Sequence, residues 1–157
     1  MLMNQAIIIA DSTADIPQAT VSEYGIHIVP MRLAFGDQSY LEGIDITAEE
    51  FYDKLIQSKE LPTTSQTSPS QYVEVYRTLL AAYPGSPIIS IHISSGMSGT
   101  YQSAVLAKEM LEEELGHPVD VTVIDSLCAT YGFGLQVVHA ARMAKQGASV
   151  EEIRAEV

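Results

Sequence analysis

Tryptophan is missing from this 157-residue chain, and cysteine occurs once, at position 128. A single cysteine excludes an internal disulfide, and the chain has no Cys/His spacing that would build a structural zinc site, so a reducing, cytoplasmic setting is expected. Basic side chains are scarce too: 8 Lys and Arg face 20 Asp and Glu, for a formal net charge of −12. Such a surface opposes nucleic-acid phosphates and anionic membranes, so no nucleic acid is expected as a partner. No apolar run approaches the roughly 18 residues of a membrane span, and residues 1–5 carry no positive segment of an export signal. Neither a membrane span nor export is expected. The same global charge repels an anionic ligand, so an anion site here has to work through local dipoles and hydrogen bonds.

What is present is 46% hydrophobic residues, enough for one domain with a real core. Apolar runs at residues 6–10, 26–33, 88–93 and 119–124 predict strands. Pro30 removes a ladder donor, so the second strand should lie at an edge or end there. Helix starts are signalled by Thr47 with Glu50 and by Ser68 with Gln71, two capping boxes, the second with Pro69 at the first helical position. Behind Ser68, Tyr72, Val75, Tyr76, Leu79 and Leu80 mark one apolar face of a helix. Helices are also predicted over 101–115 and 129–146, closed by Gly116 and Gly147. Strands alternating with helices predict an α/β fold: an open, mostly parallel sheet with helices on both faces. Its ligands should gather beyond the carboxyl ends of the strands, near 11–15, 94–99 and 125–130.

Two hydroxyl clusters stand out, the first of them at such a strand end. Ser94, Ser95, Gly96, Met97, Ser98 and Gly99 separate a strand from a helix, and Thr63, Thr64, Ser65, Gln66, Thr67 and Ser68 precede another. Helix-start amides are unpaired and lie at the positive end of the helix dipole, and glycine allows close approach, so the serine loop is a candidate anion cradle. Capping by Ser68 and Ser98 explains one serine in each cluster, but not the surplus. An anionic carboxylate or phosphate that accepts several hydroxyl bonds would explain the rest.

Other chemistries fit less well. The G-x-S-x-G elbow of a hydrolase would need glycine where Thr100 stands, and a histidine in an apolar run, such as His92, is more often a core or strand-end residue. Asp11 and Asp125 each end a strand and precede a serine; they could work as an acid/base pair, but capping a turn is the simpler role. Asp37, Glu42 and Asp45 lie in what reads as a hairpin, not a metal site. The alternatives are a hydrolase or transferase for a small acyl or phosphorylated substrate, with Asp11, Asp125 and Ser98 as its working groups, or a regulatory module with an empty pocket. At the end of the chain, Ser149 with Glu152 caps a short helix whose stripe of Val150, Ile153 and Val157 calls for a cover, which a further domain could supply.

The segments IIADSTADIP (8–17), VPMRLAFGDQSYLEGIDI (29–46), LPTTSQTSPS (61–70), ISSGMSGTYQSA (93–104) and VIDS (123–126) together resemble the amino-terminal domain of the DegV family of bacterial fatty-acid-binding proteins. The resemblance implies a Rossmann-like domain spanning 1–157, in proteins of nearly twice this length whose carboxy-terminal domain is absent from this chain. It implies a non-enzymatic carrier without cofactor or metal, whose long-chain fatty acid is held through its carboxylate by Thr64 and Ser95, with Thr63, Ser65, Ser94, Ser98 and Gly99 as neighbours. It also implies a fatty acid kinase catalytic subunit as partner. Phe35, Tyr40, Tyr101 and Phe133 could line a tunnel for the acyl chain, although rings beside a sheet are more often plain core.

Overall fold

The computed structural model describes residues 5–157. In chain order the elements are β1 (Ile7–Asp11), a 3-10 turn (Ser12–Ala14), α1 (Gln18–Tyr24), β2 (His27–Val29), β3 (Arg32–Phe35), β4 (Gln38–Leu41), α2 (Ala48–Gln57), β5 (Thr63–Ser65), α3 (Pro69–Ala82), β6 (Ile88–His92), α4 (Thr100–Leu115), β7 (Val121–Asp125), α5 (Thr130–Lys145) and α6 (Val150–Glu156). The amino-terminal stretch in which no export signal is expected falls partly outside the described residues, at 1–4.

Four strands form a parallel sheet in the order β2-β1-β6-β7, and a small antiparallel sheet runs β4-β3-β5. Helices cover both faces of the main sheet. Alternation along β1 sends Ile8 and Ala10 into a layer with Phe133, Val137, Ala141 and Ile153, and sends Ile7 and Ile9 to the other face, with Tyr72, Tyr76, Ala104 and Leu111. All five residues of β1 are buried, which is why Ile7 to Ala10 read as a continuous apolar run that breaks only at Asp11. Each fully buried isoleucine is worth roughly 2–3 kcal/mol, so β1 is a stiff support for the turn at its carboxyl end. Among the described residues no helix is long and apolar enough to cross a membrane.

Both capping boxes form as expected at Thr47 and Ser68, and Gly116 ends α4 in the left-handed region with φ 72. Three expectations are corrected and one unannounced helix is added. The run at 26–33 is two strands in two sheets: β2, an edge strand, stops at Val29, and beyond Pro30 the Met31 amide turns away to the Ser12 hydroxyl at 3.0 Å. Thr63–Ser65, read in the sequence only as hydroxyls preceding a helix, is an edge strand, paired with β3 so that Thr64 stands opposite Leu33. α1, between Pro17 and Gly25, has too short an apolar pattern to announce itself. The stripe of α6 finds its cover within the described residues: Ile153 is fully buried in the core, with the partly buried Val150 and Val157 packed against it. Phe133 is likewise fully buried core, and Phe35 packs against Tyr40 and Phe51 beside the small sheet.

α5 lies so close to the 3-10 turn that a Cβ on Gly134 would overlap the carbonyl oxygen of Ala14. Alanine at 134 would gain helix propensity of about 1 kcal/mol, but it would force two backbones apart at about 1–3 kcal/mol. Gly134→Ala should therefore lower the midpoint of urea unfolding; an unchanged or higher midpoint would show that this contact is soft.

Candidate functional site

Strand order reverses between β1 and β6, because the chain leaves β1 towards β2 and then crosses over to β6. In open α/β sheets this is where a crevice opens beyond the carboxyl ends of the strands. Asp11 ends one of these strands, and residues 93–99 extend from the other.

Asp11 is fully buried, and its carboxylate is saturated by donors. Oδ1 takes the amide and hydroxyl of Thr13, and Oδ2 takes the amide of Ile93 at 3.1 Å and faces His92 Nδ1 at 3.2 Å. Burial pushes this carboxyl up, but the bond to His92, its charge, Thr13 and the Ile93 amide outweigh that and hold it below its ordinary 3.8. Behind His92, Nε2 lies 2.7 Å from Ser90 Oγ, which receives the Tyr76 hydroxyl at 3.0 Å. Period-two alternation puts Ser90 and His92 on the face that α3 covers. Burial raises both tyrosines above their ordinary value, and the nearby Asp11 charge adds to this at Tyr72.

The order Ser90, His92, Asp11 is that of a hydrolase triad, an arrangement absent from the sequence-based expectations. All three side chains have zero exposure, and Tyr76 closes the serine from the outside. The arrangement satisfies buried polar groups and leaves no room for a substrate. Its signal in the sequence is faint: a serine and a histidine two apart on one strand. The other candidate groups for catalysis do not converge. Ser98 bonds Thr100 at 2.9 Å, and Asp125 takes backbone amides of the loops. In the hairpin, Glu42 accepts from Ser12, and Asp45 accepts the Leu41 amide at 2.8 Å.

The serine loop is tied down by its own backbone. Ser94 N donates to Cys128 O at 2.9 Å, Ser95 N to Asp125 at 3.1 Å, Gly96 N to Ser94 Oγ at 3.3 Å, and Met97 N and Ser98 N to Ser94 O. The amides of residues 94–98, expected as a cradle, are therefore already spent on Ser94, Cys128 and Asp125. Ser98 is not the helix cap: Gly99 holds that position, while Ser98 Oγ accepts the Thr100 amide at 3.2 Å. The amides of Gly99, Tyr101 and Gln102 at the start of α4 have no acceptor among the described residues. Ser95 is exposed, and Ser94 and Ser98 are half-buried.

Across from this loop, Thr63, Thr64 and Ser65 are exposed on β5, and among the described residues their hydroxyls bond to no other side chain. Gln66 joins the two clusters. Its amide occupies the space that a Cβ on Gly99 would need and donates to Ser103 Oγ at 3.3 Å. Thr67, buried next to it, donates to Pro30 O at 3.2 Å and pins the end of the small sheet to the main one. The clusters at 63–68 and 94–99 thus meet through Gln66 and Gly99.

A family model described as an uncharacterised protein of the DegV family matches residues 5–157. The chain belongs to the DegV family. It is 41% identical over 155 residues to a DegV domain-containing protein of Clostridium perfringens, covering 99% of this chain and 53% of that relative. To another, from Caldanaerobacter subterraneus, it is 43% identical over 151 residues, covering 96% and 51%. The chain thus spans about half the length of these curated relatives. Among solved structures, a stearic acid-binding protein from Eubacterium ventriosum superposes with a TM-score of 0.86 at 31% identity, covering 94% of this chain and 50% of that one. DegV from Bacillus subtilis, described as a fatty acid binding protein, gives 0.86 at 35% identity, covering 97% and 52%.

The lowered Asp11 carboxyl makes stability depend on pH with a defined sign. Its contribution is complete above the ordinary 3.8 and is lost as pH falls through the lower folded value. Asp11→Asn should cost about 3 kcal/mol near neutral pH, and its deficit against wild type should shrink below about pH 4. Urea unfolding of both proteins across pH 3–7 measures this; a deficit that stays constant throughout would refute it.

Proposed function

We propose that this chain is a non-enzymatic carrier domain for a long-chain fatty acid. Thr64 and Ser95 hold the carboxylate, with Thr63, Ser65, Ser94, Ser98 and Gly99 around it. The observation that carries this reading is that the hydroxyl cluster beyond β6, at the strand-order reversal, meets the one that begins on β5 through Gln66 and Gly99, in a chain whose solved relatives include fatty-acid-binding proteins. In this reading the unpaired amides of Gly99, Tyr101 and Gln102 add the favourable end of the α4 dipole. Gln66, whose side-chain amide lies on Gly99 and donates to Ser103, has to move aside for a head group to reach those amides.

Affinity would come mainly from the tail. Each buried methylene is worth ~0.8 kcal/mol, on the order of 10 kcal/mol gross for a palmitate-sized chain before ordering costs. Each hydroxyl bond to a charged head group adds about 1–3 kcal/mol and sets its position. The proposal extends to presenting the carboxylate to a fatty acid kinase catalytic subunit, which phosphorylates it to an acyl phosphate. A carrier in that role needs no general base of its own, and the exposure of Thr64 and Ser95 suits such a hand-over. Hydrolysis or group transfer by this chain finds less support, because the Ser90–His92–Asp11 arrangement is sealed in the core.

Mass spectrometry of lipid extracted from the purified protein should find a fatty acid near one equivalent. Thr64→Val and Ser95→Ala should each weaken fatty-acid binding about five- to tenfold with an unchanged far-UV spectrum, and should slow kinase-dependent turnover. If both variants keep wild-type affinity, the head-group assignment is wrong.

A further inference from the structure

The carboxylate that ends β7 has no part in the carrier reading, yet its bonds converge on that site. One oxygen, Asp125 Oδ1, accepts the Ser95 amide at 3.1 Å and the Leu127 amide at 3.0 Å. The Ser95 hydroxyl also faces this carboxylate. Leu127 is 76% exposed and sits at φ 54, a left-handed backbone that a leucine avoids and that burial here does nothing to offset. The acceptor that holds its amide in place is the same oxygen that holds Ser95.

The surroundings complete a clasp. Beyond the end of β6, Ile93 N is tied to Asp11, Ser94 N to Cys128 O and Ser95 N to Asp125, while Ser126 N returns to His92 O at 3.0 Å. The serine loop therefore leaves the sheet laced to the strand on either side. Of these ties, only the one from Asp125 acts on Ser95 itself.

We propose that Asp125 is a positioning residue for head-group recognition: its oxygen fixes the backbone of Ser95, so that the serine hydroxyl meets the ligand at a set angle. This rests on the fatty-acid reading of the same site. What the clasp requires is an acceptor oxygen. The negative charge is a cost, since it stands near the place where an anionic head would bind. The two natural substitutions therefore diverge. Asp125→Ala removes the acceptor. Asp125→Asn keeps it and removes the repulsion.

Two measurements on wild type, Asp125→Ala and Asp125→Asn test this. The first is amide exchange at Ser95 and Leu127 without ligand, by NMR. The second is competition of stearate and stearyl alcohol for the protein against a fluorescent fatty acid. The alanine variant should exchange both amides at least about tenfold faster and lose about tenfold of the preference for acid over alcohol, with alcohol binding unchanged. The asparagine variant should keep the protection and bind stearate at least as tightly as wild type. The proposal is overturned if alanine leaves exchange or preference unchanged, or if asparagine loses the preference along with alanine, which would make the charge the working element. A wild-type protein that takes up neither lipid sinks the fatty-acid reading instead, and the exchange rates then decide whether the clasp exists.

Discussion

A buried carboxylate at the end of the central strand holds this architecture together. Asp11 stands where β1 gives way to loop, and an ion in that position is tolerable only if donors replace the water it has lost. Those donors come from separate directions. Thr13 closes the 3-10 turn on it, the Ile93 amide binds the end of β6 to it, and His92 links it to the tyrosines of α3. The turn in turn presents the Ala14 carbonyl on which Gly134 of α5 rests. One anion therefore sets the helix packing on one face, the polar network on the other, and the point from which the serine loop departs.

The buried Ser90–His92–Asp11 order shows how little a residue constellation says without its surroundings. The donor sequence would serve a nucleophile if the serine met a cavity. Here it meets the Tyr76 hydroxyl, and the same bonds become internal satisfaction of polar groups on a sheet face that is otherwise apolar. That arrangement is enclosed in the core, while the hydroxyl residues Thr63–Ser65 on β5 and Ser95 before α4 stay exposed.

Much of this is legible in the sequence because local and global preferences agree. The apolar runs of β1, β6 and β7 match strands of the main sheet, the capping boxes at Thr47 and Ser68 form with their expected partners, and α4 and α5 lie within one residue of their predicted limits. What is not legible depends on non-local partners. Nothing near Pro30 announces that Met31 will bond Ser12 and change sheets, and three polar residues, Thr63–Ser65, become a strand only because β3 offers an edge. At the site, the hydroxyl clusters are visible as composition. Their joint through Gln66 and Gly99, and the diversion of the loop amides to Ser94, Cys128 and Asp125, require the tertiary structure. The cover over α6 escapes the sequence for the same reason: a stripe of apolar residues does not say which surface is waiting for it.

The Thr67–Pro30 hydrogen bond places the start and finish of the excursion from 31 to 66 side by side. A segment that leaves and rejoins a scaffold at neighbouring points can lengthen, shorten or change its sequence while the parallel sheet keeps its register. In this chain the small sheet is thus an insert whose two ends share one anchor, so the stem that supports it does not depend on what lies between them.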